Sequence, residues 1–176
     1  MKKFIWIVIC LLLFSTVVFA LDDNASHDIT LNVVDVCIID LNSTATITLN
    51  IVAPAQGGQN PVGETDSSKL LQYTSLTSLG NHRVIAANWA AMDSAPVGTS
   101  LRLEVTSVPA GCGTAGAQIT LSNTAQFLIS SIGSCVTGTG SNGARLLYTF
   151  NVDNVSQLVV GDTSTVTVIF TLSDVY

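Results

Sequence analysis

The chain is short of the side chains from which most active sites are built. Charged residues make up 10% of its 176 positions and aromatics 6%, with two histidines and two tryptophans. His27 and His82 are the sole candidates for a neutral-pH general base, and no carboxylate is placed in sequence to orient His82, which reads as a surface residue after Gly80-Asn81. No serine stands in a G-x-S-x-G elbow, so hydrolase chemistry has no support. Glu64, Asp66, Asp93 and Glu104 are too scattered to suggest a glycosidase pair. No CxxC or Cys/His spacing fits structural zinc, and neither Asp22-Asp23-Asn24 nor Asn151-Val152-Asp153-Asn154 matches a calcium loop. These absences name no catalytic, cofactor-binding or metal residue, and a non-enzymatic protein is expected.

Long apolar runs are missing too, except at the start. Lys2 and Lys3 precede an unbroken apolar stretch over residues 4–14, and Val18 and Ala20 supply a small-residue cleavage site before Leu21. That arrangement predicts a secretory signal peptide over residues 1–20, too short to serve as a membrane span, which needs about 20 apolar residues. The mature chain, 21–176, is expected outside the cytoplasm, secreted or at a cell surface, with no membrane span. The short Met-Lys-Lys leader looks bacterial. Cleavage removes two lysines, taking the formal charge from −6 to −8 and leaving Lys69, Arg83, Arg102 and Arg145 as the only Lys or Arg. So few cations, none clustered, exclude nucleic acid as a partner and argue against adhesion to anionic lipid. Its length suits one domain with a sizeable core.

Cleavage also discards Cys10, leaving Cys37, Cys112 and Cys135. Three single pairings are possible. Cys112 in Ala110-Gly111-Cys112-Gly113 and Cys135 in Gly133-Ser134-Cys135 both sit in turn-like contexts, and an exported protein can keep a disulfide between them, worth about 3 kcal/mol on the chain-entropy estimate. Cys37 would then be a small hydrophobe within Val36-Cys37-Ile38-Ile39.

What the sequence does have is period two. Residues 44–51 read Thr-Ala-Thr-Ile-Thr-Leu-Asn-Ile, with Ile47, Leu49 and Ile51 on one face. The same alternation places Leu101, Leu103 and Val105 together, then Leu146, Tyr148, Phe150 and Val152, then Val166, Val168, Phe170 and Leu172. Shorter strands are predicted over 70–76, 83–89, 118–121 and 126–130, with Trp89 at the core or its rim and turn signals between them. No helical stripe persists for three turns. The expected fold is all-β: a single antiparallel β-sandwich of eight to ten strands, immunoglobulin-like or jelly-roll-like. The earliest run alternates through Ile29, Leu31 and Val33, then changes phase at Val33-Val34, as a β-bulge would make it do. Residues 36–39 are apolar on both faces and are expected to be covered on both sides, either inside the chain's own fold or by pairing with a neighbour.

The leader, this hydrophobic N-terminal run, the Thr/Val-alternating Gly161-Asp162-Thr163-Ser164-Thr165-Val166-Thr167-Val168 and the terminal Tyr176 together resemble secreted bacterial fimbrial subunits and spore-coat-U-like proteins. The resemblance implies immunoglobulin-like sandwiches that polymerise by donating a strand. On that basis the chain is expected to be a structural or surface-assembly subunit of a fibre, pilus or coat. Its partners would be copies of itself or other surface proteins. The donor candidate lies within residues 33–41, carried by Val34, Val36, Ile38 and Ile39, with residues 165–172 as the companion edge. The alternative is a monomeric binding module or adhesin domain recognising a glycan or host protein through loops 56–68 and 136–143.

Overall fold

A computed structural model describes residues 25–175; the leader, its cleavage site and Tyr176 lie outside the described residues. The chain divides into two units between Val33 and Val34, and residues 25–33, the described part of the first, have no secondary structure. Every strand pairing is antiparallel. Among the described residues the sole helical element is a 3-10 turn, Val155–Gln157, capped by the Asn154 side chain, which accepts from the Ser156 amide.

The strands are β1 (Val36–Leu41), β2 (Ile51–Val52), β3 (Val62–Gly63), β4 (Thr65–Asp66), β5 (Leu70–Leu76), β6 (Arg83–Trp89), β7 (Thr99–Ser107), β8 (Thr114–Ala115), β9 (Ile119–Thr120), β10 (Gln126–Ile132), β11 (Cys135–Val136), β12 (Ala144–Val152) and β13 (Val168–Asp174). The largest sheet runs β1-β5-β12-β7-β9, with β11 also on β5 and β4 also on β12. A second runs β13-β6-β10-β8, and β2 and β3 form a separate pair. Among the described residues there are thirteen strands in three sheets, against the eight to ten expected for a sandwich. The surplus consists of two-residue pieces where connections briefly touch a ladder, while seven strands have six residues or more.

One apolar cluster is drawn from both larger sheets. Leu71 and Tyr73 of β5, Leu103 and Val105 of β7 and Leu146 and Tyr148 of β12 meet Ile85 and Ala87 of β6, Leu128, Ile129 and Ile132 of β10 and Leu172 of β13. These are the alternate residues of each strand, which the pleat turns to one side. Trp89 packs against the same cluster. In β10 the alternation breaks: its pairing with β6 shifts register on both sides of Ile129, and Ser131 takes a positive φ of 56°. The added residue lets neighbouring Leu128 and Ile129 both turn inward while Phe127 faces solvent. Register shifts in this fold therefore fall in β10 and, between Arg145 and Leu146, in the β12/β7 ladder, not at Val33-Val34, since the described residues before Val36 have no ladder to bulge from. Gly63 matters for close approach: a Cβ there would lie 1.5 Å from the Phe150 carbonyl oxygen, so only glycine lets β3 reach β12.

The alternating stretches at 44–50 and 163–167 keep their predicted faces without forming strands. Ile47, Leu49 and Val166 are partly buried and their threonine neighbours exposed, yet among the described residues each stretch bonds a neighbouring backbone only at its end, the Asn50 carbonyl accepting from Glu64 and that of Thr167 from Ala90. Side-chain burial follows the sequence period, whereas strand assignment also needs a neighbouring backbone.

Three core acids are held neutral. Burial, with Cys112 alongside, pushes the Cys135 thiol up to about 12. Burial likewise raises the Tyr73 and Tyr148 phenols well above their usual range, the latter helped by Asp66, its partner across the β4 ladder. In the unfolded chain these groups lose protons near 9.0 and 10.0 respectively. The unfolded state therefore binds fewer protons than the folded one above that point. The stability they contribute is complete below about pH 9 and lost as pH rises toward 12. Urea titrations of the reduced protein should show a falling midpoint from about pH 9 upward, with phenolate absorbance growing together with unfolding. Phenolate formation near pH 10 in a still-folded chain would contradict the burial of both tyrosines.

Candidate functional site: two open edges and a buried arginine

Among the described residues β1 ends the larger sheet and β13 ends the second, so each has one ladder neighbour and one free edge there. The two strands lie beside each other. The Cys37 thiol donates to the Leu172 carbonyl at 3.6 Å across the join. A cleft of about 220 Å³ opens there, lined by Ile39, Asp40 and Leu41 of β1, Leu71 of β5, and Val168 and Phe170 of β13. All but Asp40 are apolar, so the seam between the sheet edges exposes carbon surface and unmatched backbone together.

Arg83 closes one end of this seam. The guanidinium is 2% exposed although both of its carboxylate partners reach solvent. It donates to both oxygens of Asp35 at 2.6 Å and to Asp174 of β13 at 2.8 Å. It also reaches the Val36 carbonyl at 2.6 Å, and the Ser75 hydroxyl and Leu76 carbonyl of β5 at 3.2 Å each. One residue on β6 thus satisfies groups on both sides of the β1/β13 join. Its hydrogen bonds to Asp35 raise the guanidinium pKa, burial opposes them, and Asp174 adds to the rise.

Lys69 is the second buried cation, 7% exposed, its ammonium bound to the Ser43 carbonyl at 3.0 Å and to that of Ala45. Two of the four cations of residues 21–176 are therefore internal. The sequence signal for this was thin: each stands beside an apolar strand, as Lys69-Leu70-Leu71 and Arg83-Val84-Ile85.

Val36, Ile38 and Ile39 of the expected donor strand belong to the chain's own sheet, opposite Leu76, Thr74 and Tyr73 of β5. Val34 is 69% exposed just before it. Residues 36–39 are covered on one side only. Ile39 packs on the core while Ile38 is 61% exposed, because the pleat turns Ile38 to the face of the sheet away from the core. In residues 25–33, which the donor assignment mostly left out, Ile29, Leu31 and Val33 are 70%, 88% and 91% exposed.

Cys112 is buried and Cys135 partly buried against the same cluster; these two and Cys37 are free thiols. His82 is exposed and shares a hollow of about 280 Å³ with Asp35, Ser78 and Asp174. No hydrogen bond links Ser78 or a carboxylate to its imidazole, and both carboxylates are engaged by Arg83.

No protein-family model, curated protein or solved structure matches this chain. What it does must therefore be argued from the seam.

Arg83→Leu should destabilise the fold by about 3 kcal/mol, since it strands the Ser75 hydroxyl and two carbonyls around a buried site. Asp35→Asn, at an exposed partner that keeps a hydrogen-bonding oxygen, should cost less than about 1 kcal/mol. Urea unfolding of the two variants checks the ranking, and equal losses would contradict it.

Proposed function

We propose that this chain is an exported structural subunit, a single sandwich built from its two larger sheets, that joins copies of itself by β-strand addition. One observation carries the reading. Ile29, Leu31 and Val33 form an alternating apolar row exposed to water on a segment with no ladder of its own, in a molecule that also keeps an apolar seam with free strand edges. A strand added at such an edge gains backbone hydrogen bonds, and its alternate side chains fill the cleft. Burying each of the three contributes about 1.5–3 kcal/mol before the cost of ordering the segment.

The donor in this reading is residues 29–33, not β1. β1 already pairs with β5, and Asp35 and Val36 are held by Arg83. The acceptor is the β1/β13 seam of the next copy, lined by Ile39, Leu41, Val168 and Phe170. The threonine-rich outer faces and scarce charge suit a surface packed beside copies of itself.

Purified mature protein should form multimers on size-exclusion chromatography with light scattering. Removing residues 21–33 should leave a folded monomer that binds a synthetic 27–35 peptide. Leu31→Asp in that peptide should abolish binding, and Phe170→Asp in the protein should weaken it at least tenfold. A mature chain that stays monomeric at high concentration and ignores the peptide would end the proposal.

A further inference from the structure

We propose that Cys112 and Cys135 are a disulfide site, closed by a protein dithiol/disulfide oxidant while the exported chain is still folding, and that Cys37 is left as the free thiol. The ladders decide the partners. Cys37 on β1 and Cys135 on β11 both stand opposite Ser75 of β5, hence on its two different edges. Two ladder spacings separate them, about 9.5 Å between backbones, beyond the roughly 7 Å that a disulfide can span. Cys37–Cys135 is excluded.

Cys135 and Cys112 do turn to one core. Cross-strand partners point to one side of a sheet, and Ser75 is fully buried, so Cys135 faces the core. Tyr73, two residues before Ser75, shares that face and donates its hydroxyl to the Cys112 carbonyl at 2.5 Å. Thr137 pins the β11 side by exchanging backbone and hydroxyl bonds with Tyr73. Cys135 packs against the same apolar cluster to which Cys112 belongs. Tyr73 thus fixes the Cys112 backbone beside the strand that opens with Cys135.

Burial sets the order of events. Cys112 is 2% exposed, so no protein oxidant reaches it once the core has closed. In the folded chain burial also holds the Cys135 thiol protonated, so it is a poor source of the attacking thiolate. During folding, one cysteine loses its proton and attacks the oxidant's disulfide, expelling one oxidant thiolate and forming a mixed disulfide. The other cysteine, deprotonated, attacks its own chain's sulfur in that bond and expels the second oxidant thiolate. The products are the Cys112–Cys135 bond and a reduced oxidant, with two electrons and two protons transferred. The loop so closed, residues 113–134, carries β9 of the larger sheet and β8 and β10 of the second, so the bond would tie strands of both.

The experiment maps thiols by alkylation under denaturing conditions, followed by peptide mass spectrometry. Protein recovered from an oxidising compartment should carry one alkylated cysteine, Cys37, and a 112–135 crosslinked peptide lighter by two hydrogens. Reduced protein made in a reducing cytoplasm should be treated with oxidised glutathione and a disulfide oxidase, folded or during dilution from urea. Bond closure should be at least a hundredfold slower in the folded sample. Three alkylated cysteines in the oxidising sample, or a link involving Cys37, would overturn the assignment. Equal rates in the folded and diluting samples would overturn the order.

Discussion

The buried guanidinium of Arg83 is the constraint on which the arrangement of strand ends depends. A charge with five donors has to be matched on all sides when water is excluded, and here the partners come from the start of β1, from β5 and from β13. Hydrophobic burial resists a one-residue slide of a strand but tolerates a two-residue one, which keeps the apolar set on the same face. A planar fork that needs both oxygens of Asp35 and one of Asp174 tolerates neither. Arg83 therefore does for register what the apolar cluster cannot, at the place where the two larger sheets leave their edges unjoined. Lys69 does something similar for residues 43–45, holding two carbonyls of a stretch without ladder bonds.

Much of this fold was legible in the sequence because its signals were local. β5 and β6 begin and end where alternation and turn residues place them. Faces were readable even where strands were not: Ile47, Leu49, Val166 and Val168 point as their spacing requires. The failures concern relations between distant segments. The bulge in β10 is written in Leu128-Ile129-Ser130-Ser131-Ile132, but that run also fits an ordinary strand, and only pairing with β6 shows the register shifts. The burial of Arg83 was not legible because its carboxylate partners lie 48 residues before it and 91 after. Residues 36–39 read as covered on both faces, since apolar character does not tell an edge strand from an interior one.

The edges of this molecule differ in how they are managed. β9 and β8, at the far ends of the two sheets, are two residues long, too short to template a neighbour. β1 and β13 are six and seven residues long, lie side by side and enclose an apolar cleft. Cys37 and Asp40 are the polar features of β1 there, and neither disrupts its ladder with β5. Protection is strong at one end of each sheet and slight at the other.

The clamp on Asp35 has a mechanical side. Asp35 lies two residues beyond Val33, where the folded unit takes over from the segment preceding it. Tension on that segment enters the fold at Asp35 and passes into Arg83 before it can load the hydrogen bonds of β1. From the guanidinium the load divides between β5, through Ser75 and Leu76, and β13, through Asp174. A strand peeled from its end yields one bond at a time, whereas a strand fastened at its end by a bidentate pair must yield several together. The buried arginine thus makes the first residues of β1 a point of attachment that can bear force.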